Sequence, residues 1–148
     1  MSTTHATPIE IARQFYEATV RFDKTDYTLV RQTDDGSKRA ELNAEYSNAG
    51  RMVRELAELG LEANPTSAAD ATALLTFVFD ALEIIHGSDL GHMTQTGFLE
   101  QKITQITRAV ARSILTVGGA ERMDFSNLGD LDLQWRLRCW VPSEEPQP

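Results

Sequence analysis

Apolar residues recur at helical spacing in four long segments of the chain. In the first segment they follow one another at steps of four, three and four, which places them on one face of a helix. These residues are Ile11, Phe15, Ala18 and Phe22. Similar patterns predict further helices over residues 38–60, 67–86 and 98–118. The chain is therefore expected to be mainly α-helical.

Local sequence signals set the expected limits of these helices. Thr7 precedes Pro8 and lies three residues before Glu10, which is the capping-box pattern of a helix start. This first helix is expected to end near Asp23. Glycine commonly follows the last residue of a helix. It is expected to end the three later helices at Gly60, Gly87 and Gly118-Gly119.

The third helix is apolar around nearly its whole circumference. It is expected to start either with Asn64-Pro65 or with the capping pattern from Ser67 to Asp70. Its large apolar residues are Leu74, Leu75, Phe77, Val78, Phe79, Leu82, Ile84 and Ile85. A helix of this composition lies in a bundle core or inside an oligomer. The sequence therefore predicts a central position for it, followed by a glycine-rich loop over residues 87–97.

A different pattern follows the last helix. Between residues 131 and 141 apolar and polar residues alternate, as they do in a β-strand with one buried face. The apolar positions are Leu131, Leu133, Trp135, Leu137, Cys139 and Val141. A strand needs a neighbour for its backbone hydrogen bonds. The neighbour is expected to be either residues 27–32 or a second copy of the chain. Residues 27–32 fit a short strand or a turn of helix capped by Thr25, and the strand is favoured because residues 131–141 need a partner.

The predicted fold class is therefore mainly α with a small β element (α+β). A bundle of about four main helices and the C-terminal strand form a single domain over residues 1–142. Residues 143–148 are expected to be a disordered tail, because they offer nothing to bury. A length of 148 residues is sufficient for one domain with its own hydrophobic core.

Charge and cysteine content narrow the possible partners. The formal net charge is -8, and no Lys or Arg occurs between Arg54 and Lys102. Binding to nucleic acid or to an anionic membrane is therefore disfavoured. The acidic stretch could instead serve an inhibitor or immunity-type protein that covers a basic target. The single cysteine and the absence of a signal-peptide pattern favour the cytoplasm.

Candidate chemistry is sparse, and no cofactor is predicted. Glu83 and His86 have the i,i+3 spacing of metal ligands on a bundle helix, but a second Glu-x-x-His is missing. Together with Asp80 they give an alternative hypothesis of a ligand- or metal-binding bundle. His86, Asp89 and His92 are close in sequence, yet no further ligand or nucleophile accompanies them. No catalytic residue is assigned.

The alternating segment carries the candidate partner-binding residues. Trp140 shares one face of the predicted strand with Arg136 and Arg138, while Trp135 lies on the apolar face. Aromatic and arginine side chains are enriched where proteins contact one another. The sequence thus favours a non-enzymatic interaction or assembly module that forms homo-oligomers.

Overall fold

The computed structural model describes residues 6–31 and 36–121. Within these ranges it contains five helices and no strand. The helices are α1 (Pro8–Arg31), α2 (Gly36–Glu62), α3 (Ala68–Gly87), α4 (Leu90–Gln95) and α5 (Phe98–Glu121). The described part of the chain is therefore an all-α bundle, and its four long helices match the four segments predicted from the sequence.

Helix α3 is in contact with all three other long helices. Helix α1 packs most extensively on α2, and α3 packs most extensively on α5. Helix α3 also contacts α1 and α2. The short helix α4 lies within the segment that the sequence predicted to be a loop, and it contacts α5. Among the helices described, none is both long and apolar enough to span a bilayer.

The predicted start of α1 is confirmed. The backbone N–H of Thr7 donates to Oε2 of Glu10 at 2.8 Å, and the N–H of Glu10 donates to Oγ1 of Thr7 at 3.3 Å. Pro8 is the first helical residue and has no N–H to satisfy. The two hydrogen bonds close a capping box that satisfies two backbone donors.

The predicted end of α1 near Asp23 and the predicted strand at residues 27–32 are both wrong, since α1 continues to Arg31. Residue 32 lies outside the described residues. No glycine or proline interrupts the chain from Asp23 to Arg31, so the backbone hydrogen bonds of the helix can continue. The Arg31 guanidinium also lies over the Tyr27 ring, 4.5 Å from its centroid, which is an i,i+4 contact.

Packing against α2 supports the same half of α1. The Phe22 ring stacks on Tyr46 with centroids 4.6 Å apart. Gly50 lies under this pair, and a Cβ built there would be 3.0 Å from Cε2 of Phe22. Gly50, inside the second helix, therefore permits the close approach of α1.

The hydrophobic core forms where α1, α2, α3 and α5 meet. Its buried residues are Ile11, Leu61, Leu74, Phe77, Val78, Ala81 and Ala109. Phe77 is fully buried and meets the Phe15 ring edge-on, at a centroid distance of 5.4 Å. Aromatic pairs favour this geometry because the positive edge of one ring faces the negative face of the other.

Two of the three helix ends predicted at glycines are wrong, because the helices continue past them. Helix α2 passes through Gly60 to Glu62, and α5 passes through Gly118 to Glu121. A glycine that ends a helix usually takes a positive φ. Among the glycines of the described ranges, Gly97 alone does so, at 71°, where α4 turns into α5. The prediction at Gly87 is confirmed, because α3 ends there.

A buried carboxylate organises the start of α3. Ser67 is the N-cap residue, and its Oγ accepts a hydrogen bond from the N–H of Asp70 at 3.0 Å. The Asp70 carboxylate turns back and accepts bonds from the N–H and Oγ1 of Thr66, at 3.1 and 2.9 Å. The start at Ser67 is therefore confirmed over the alternative at Asn64-Pro65.

The predicted C-terminal strand at residues 131–141 lies outside the described residues, and so does the predicted tail at residues 143–148. Both remain predictions. The finding for the described part is the helical bundle alone.

Candidate interaction surface

Three large apolar side chains form an exposed row on α3. Leu75 is 37% exposed, Phe79 63% and Leu82 44%. Their spacing of four and three residues places them on one side of the helix. This apolar row (Leu75, Phe79 and Leu82) faces away from the core, which α3 contacts through Leu74, Phe77, Val78 and Ala81.

An apolar groove lies beside this row, between α3 and α5. Its volume is about 380 Å³, and its walls include Ala71, Thr72 and Leu75 from α3 and Val110, Ile114 and Val117 from α5. Ser113 lines the same groove; its Oγ donates to the carbonyl oxygen of Ala71 at 3.4 Å. We call this feature the α3–α5 groove. Its walls expose far more apolar than polar surface.

The apolar surface extends further along α5. Ile103 is 51% exposed, and it lies on the same side of α5 as Ile114 and Val117 by helical spacing. Large connected apolar areas on a soluble protein mark sites of interaction. The row and the groove share Leu75 and therefore form one exposed apolar surface on α3 and α5.

The apolar composition of α3 predicted burial on all sides, but the structure buries only part of the helix. Sequence reasoning counted Leu75, Phe79 and Leu82 among residues buried either in the bundle core or inside an oligomer. The apolar residues around α3 indicated this partial exposure, because a bundle of few helices does not cover the whole circumference of one of them. Excess apolar residues on a helix then remain exposed and are available for contact.

The candidate metal ligands do not form a cluster. Glu83 and His86 are both exposed, while Asp80 is partly buried. Within residues 6–31 and 36–121, no group of three His, Cys, Asp or Glu side chains is arranged to hold a metal ion. Burial raises the pKa of Asp80, and repulsion from Glu83 raises it further.

Of the three clustered residues His86, Asp89 and His92, Asp89 has a helix-capping role, and so does its neighbour Ser88. Ser88 caps the end of α3: its N–H donates to the carbonyl of Ile85 at 3.3 Å and its Oγ to that of Ile84 at 2.5 Å. Asp89 caps the start of α4, where its Oδ1 accepts from the N–H of His92 at 3.2 Å. These contacts account for Ser88 and Asp89 locally.

A buried polar cluster joins α2 to α5. Lys102 is 4% exposed, and its Nζ contacts Oε1 of Glu58. Nε2 of Gln105 donates to Oε2 of the same carboxylate at 3.0 Å. The Arg112 guanidinium lies further along α5 and donates to the carbonyl oxygen of Leu61. Burial lowers the pKa of Lys102 and also that of Arg112.

Sequence reasoning did not identify this cluster. Lys102 and Gln105 are polar residues on α5 to which the sequence pattern assigned no role. The relevant signal was the three-residue spacing between them, which allows one carboxylate on a neighbouring helix to bind both. The cluster fixes α5 against α2, and it needs no ligand to explain its main contacts.

The acidic stretch from Glu55 to Glu100 does not form one continuous patch. Glu55 pairs with Arg51 at 3.9 Å, Glu58 contacts Lys102, and Asp70 is buried in the cap of α3. The remaining carboxylates of the stretch include Glu83 and Glu100, both exposed. The structure therefore offers no specific observation in favour of an inhibitor that covers a basic target.

The candidate partner-binding residues Trp135, Arg136, Arg138 and Trp140 lie outside the described residues. Comparison of the chain with family models, curated proteins and solved structures finds no match. The functional argument therefore depends on the chain's own surfaces, among which the apolar row and the α3–α5 groove stand out.

Proposed function

We propose that this protein is a non-enzymatic assembly module that associates with a second copy of itself through the apolar row on α3. One observation carries the proposal: Phe79 is 63% exposed and lies between Leu75 and Leu82, which are also exposed. Exposure of three large apolar side chains to water is unfavourable in free energy. An apolar partner that covers the row removes this unfavourable term.

The spacing of the row suits a second copy in particular. Most homo-oligomers have a two-fold axis, so the same patch is used by both subunits. When two α3 helices pack antiparallel with Phe79 at the axis, the two Phe79 rings become neighbours. Leu75 and Leu82 lie four residues before and three residues after Phe79. Each Leu75 therefore falls near Leu82 of the second copy.

The charged residues of α3 lie outside the row. Helix α3 carries the acidic Asp70, Asp80 and Glu83 and no Lys or Arg. The row itself contains no charge that association would have to desolvate. Full burial of one such apolar side chain contributes about 1.5–3 kcal/mol relative to its exposed state.

The row alone is too small for a standard interface. Helix α3 has 20 residues, so it is about 30 Å long and about 10 Å wide. Its projected area is thus well below the ~800 Å² per partner that stable complexes bury. The contact has to extend to the surface beside the row, on the side of α5.

Sedimentation velocity from low to high micromolar concentration tests the proposal. We expect a reversible dimer for the unmodified chain, and a Phe79→Ser variant whose dimer dissociation constant is at least about tenfold higher, since 1.4 kcal/mol corresponds to that factor. Tyr16→Ser is the matched control, because Tyr16 is an exposed aromatic on α1, 70% exposed. A strict monomer, or equal effects of both substitutions, would show that the proposal is wrong.

A further inference from the structure

A second groove runs between α1 and α2, which contribute neither to the apolar row nor to the α3–α5 groove. It consists of two adjoining clefts with volumes of about 350 and about 530 Å³. Arg21 of α1 and Met52 of α2 line both clefts, so the two form one continuous surface. We call this feature the α1–α2 groove. It is separate from the surface that the proposed self-association uses.

The α2 wall of this groove is acidic at one end and apolar at the other. Glu41 and Glu45 line the end nearer the start of α2. Met52, Leu56 and Leu59 line the other end, and Met52 is 48% exposed. Steps of three, four and seven residues place all five on one side of the helix. The wall from Glu41 to Leu59 is about 27 Å long.

The groove has an excess of negative charge. Four carboxylates line it, against the single guanidinium of Arg21, and they belong to Glu17, Glu41, Glu45 and Glu55. Within residues 6–31 and 36–121, Glu55 alone of the four forms an ion pair, with Arg51. Glu17, Glu41 and Glu45 are exposed to water. A cationic partner therefore meets three carboxylates that no ion pair of the described bundle occupies.

An α-helix suits this groove better than an extended segment does. Helices α1 and α2 satisfy their backbone groups within themselves, so the groove has no strand edge with which an extended backbone could pair. A helix hydrogen-bonds its own backbone and needs only side-chain contacts. Met52, which lies where the two clefts meet, can adapt its shape to different apolar side chains.

We infer that the α1–α2 groove binds a basic amphipathic helix of another protein. Apolar side chains of that helix cover Met52 and Leu59, and its Lys or Arg side chains lie against Glu41 and Glu45. Complementary charge accelerates the encounter and fixes the register, while the apolar contact supplies affinity. A helix of about 18 residues has the length of this wall.

This inference goes beyond the proposed self-association and does not depend on it. Self-association uses α3 and the side of α5, whereas the partner helix lies on α1 and α2. Of the acidic stretch from Glu55 to Glu100, only Glu55 lines the groove, so this site is distinct from an acidic surface formed by that stretch. One face of the bundle then joins copies of the chain, and another holds a different protein.

Fluorescence anisotropy of a labelled peptide tests the inference with the full chain. The peptide is a designed helix of about 18 residues, with leucine on one face and lysine on the other, and the same peptide with glutamate in place of lysine is its control. We expect the lysine peptide to bind with a micromolar Kd, since one helix gives a small interface. The glutamate peptide should bind at least about tenfold more weakly. Equal binding of the two peptides, or no binding of the lysine peptide at high micromolar concentration, would overturn the inference.

Charge reversal tests the acidic end of the groove. We expect the double substitution Glu41→Lys with Glu45→Lys to raise the Kd of the lysine peptide at least about tenfold, because repulsion replaces attraction. The matched control is Glu83→Lys with Glu100→Lys, two exposed residues outside the groove. It changes the net charge by the same amount and should leave the Kd within about twofold. Equal effects of the two double variants would show that net charge alone attracts the peptide, contrary to the inference.

Truncation of Met52 tests the apolar end. We expect Met52→Ser to raise the Kd of the lysine peptide at least about fivefold, because it removes a central apolar contact. Val20→Ser is the matched control: Val20 is an apolar residue of α1 outside the groove and is 49% exposed. It should leave the Kd unchanged. An equal loss in both variants would contradict the placement of the peptide in the groove.

The Phe79→Ser variant separates this site from the apolar row. It should weaken the dimer and leave the Kd of the lysine peptide unchanged. A chain that stays monomeric but binds the peptide through Met52 would contradict the proposed function alone. Loss of peptide binding in Phe79→Ser but not in Met52→Ser would place the peptide on the row, and it would overturn this inference alone.

Discussion

The Phe77 ring lies directly against the backbone of Gly60, where α3 crosses α2. A Cβ added to Gly60 would lie under 3.0 Å from three atoms of that ring. Real Cβ atoms do not approach a neighbour so closely, so one of the two helices would have to shift. Phe77 itself is fully buried and also contacts Phe15. The ring therefore has little freedom to yield.

Replacement of Gly60 by alanine should destabilise the fold. Extra atoms in a well-packed core typically cost about 1–3 kcal/mol, and we expect a loss of that size for Gly60→Ala. Urea unfolding measures it. Gly87→Ala is the matched control, because nothing lies within 4 Å of a Cβ at Gly87. A Gly60→Ala variant that is as stable as the control would show that the two helices do not approach as described.

Removal of Glu58 should cost more than removal of the lysine that it binds. Lys102 is almost fully buried, and Glu58→Ala leaves its ammonium without a carboxylate, at a cost of about 1–3 kcal/mol. Lys102→Met removes the buried charge instead, and the half-exposed Glu58 can bind water. We therefore expect Lys102→Met to change the free energy of unfolding by no more than about 1 kcal/mol.

Glu55→Ala is the control for this pair of variants. Glu55 pairs with Arg51 on the exposed side of α2, where both side chains are mainly exposed to water. Such pairs contribute about 0–1 kcal/mol. Thermal unfolding of the three variants should therefore rank Glu58→Ala as the least stable. The opposite rank of Glu58→Ala and Lys102→Met would contradict the assignment of Lys102 as a buried charge.

Asp70 should make the bundle sensitive to acid. Burial acts to raise its pKa, but hydrogen bonds from Thr66, the Ile9 backbone and Ser67 outweigh burial and lower the pKa below its usual value. A lowered folded-state pKa stabilises the protein above the unfolded-state value of about 3.9, and this stability is lost as pH falls through the folded-state value.

Asp70→Asn should therefore lose about 1–3 kcal/mol at pH 7, since it removes a charged acceptor from a buried position. The difference between the variant and the unmodified protein should shrink below about pH 4. Urea unfolding at both pH values measures this change. Asp89→Asn is the control, because Asp89 is an exposed N-cap and asparagine caps equally well. A pH-independent loss at Asp70 would argue against a role for its charge.

Asp80 should have the opposite effect on stability. Burial and the neighbouring Glu83 raise its pKa, so its ionised form is less favourable in the folded state. Stability from this group is present below the unfolded-state pKa and is lost as pH rises through the raised folded-state value. We expect Asp80→Asn to stabilise the protein at pH 7 by up to about 1 kcal/mol.

The gain at Asp80 should disappear at pH 3, where the unmodified carboxyl group is protonated in both states. Guanidinium unfolding across this pH range gives the measurement. Glu83→Gln removes only the smaller of the two causes, so its gain at pH 7 should be smaller. A stabilisation by Asp80→Asn that persists at pH 3 would exclude the electrostatic explanation.

The sequence predicted the long helices well, because their existence depends on spacing and on local caps. Thr7 and Glu10 lie close in sequence, and their reciprocal hydrogen bonds follow from that pattern alone. The end of α1 was harder to predict. The residues around Tyr27 suit a strand as well as a helix, and contacts such as Phe22 on Tyr46 favour the helix.

Gly60 is a second example of a role that depends on a tertiary contact and not on the local sequence. A glycine near the end of an apolar pattern suggests a helix terminus, but its actual role is to admit the Phe77 ring. That role requires knowledge of which residue lies opposite, and spacing along one helix does not supply it. The exposure of Phe79 has the same origin, because a pattern shows which side chains are apolar but not which of them the other helices cover.

The position of Phe77 also has a consequence for synthesis. Its contacts Phe15 and Gly60 precede it in the chain, whereas the core residue Ala109 follows it. When α3 leaves the ribosome, the surfaces of α1 and α2 on which it packs have already been synthesised. Completion of α5 requires roughly thirty further residues, which take a few seconds of translation. During that interval the side of α3 that packs on α5 is exposed to water. The nascent chain that ends after α3 is thus the stage at which chaperone capture or aggregation competes most strongly with folding.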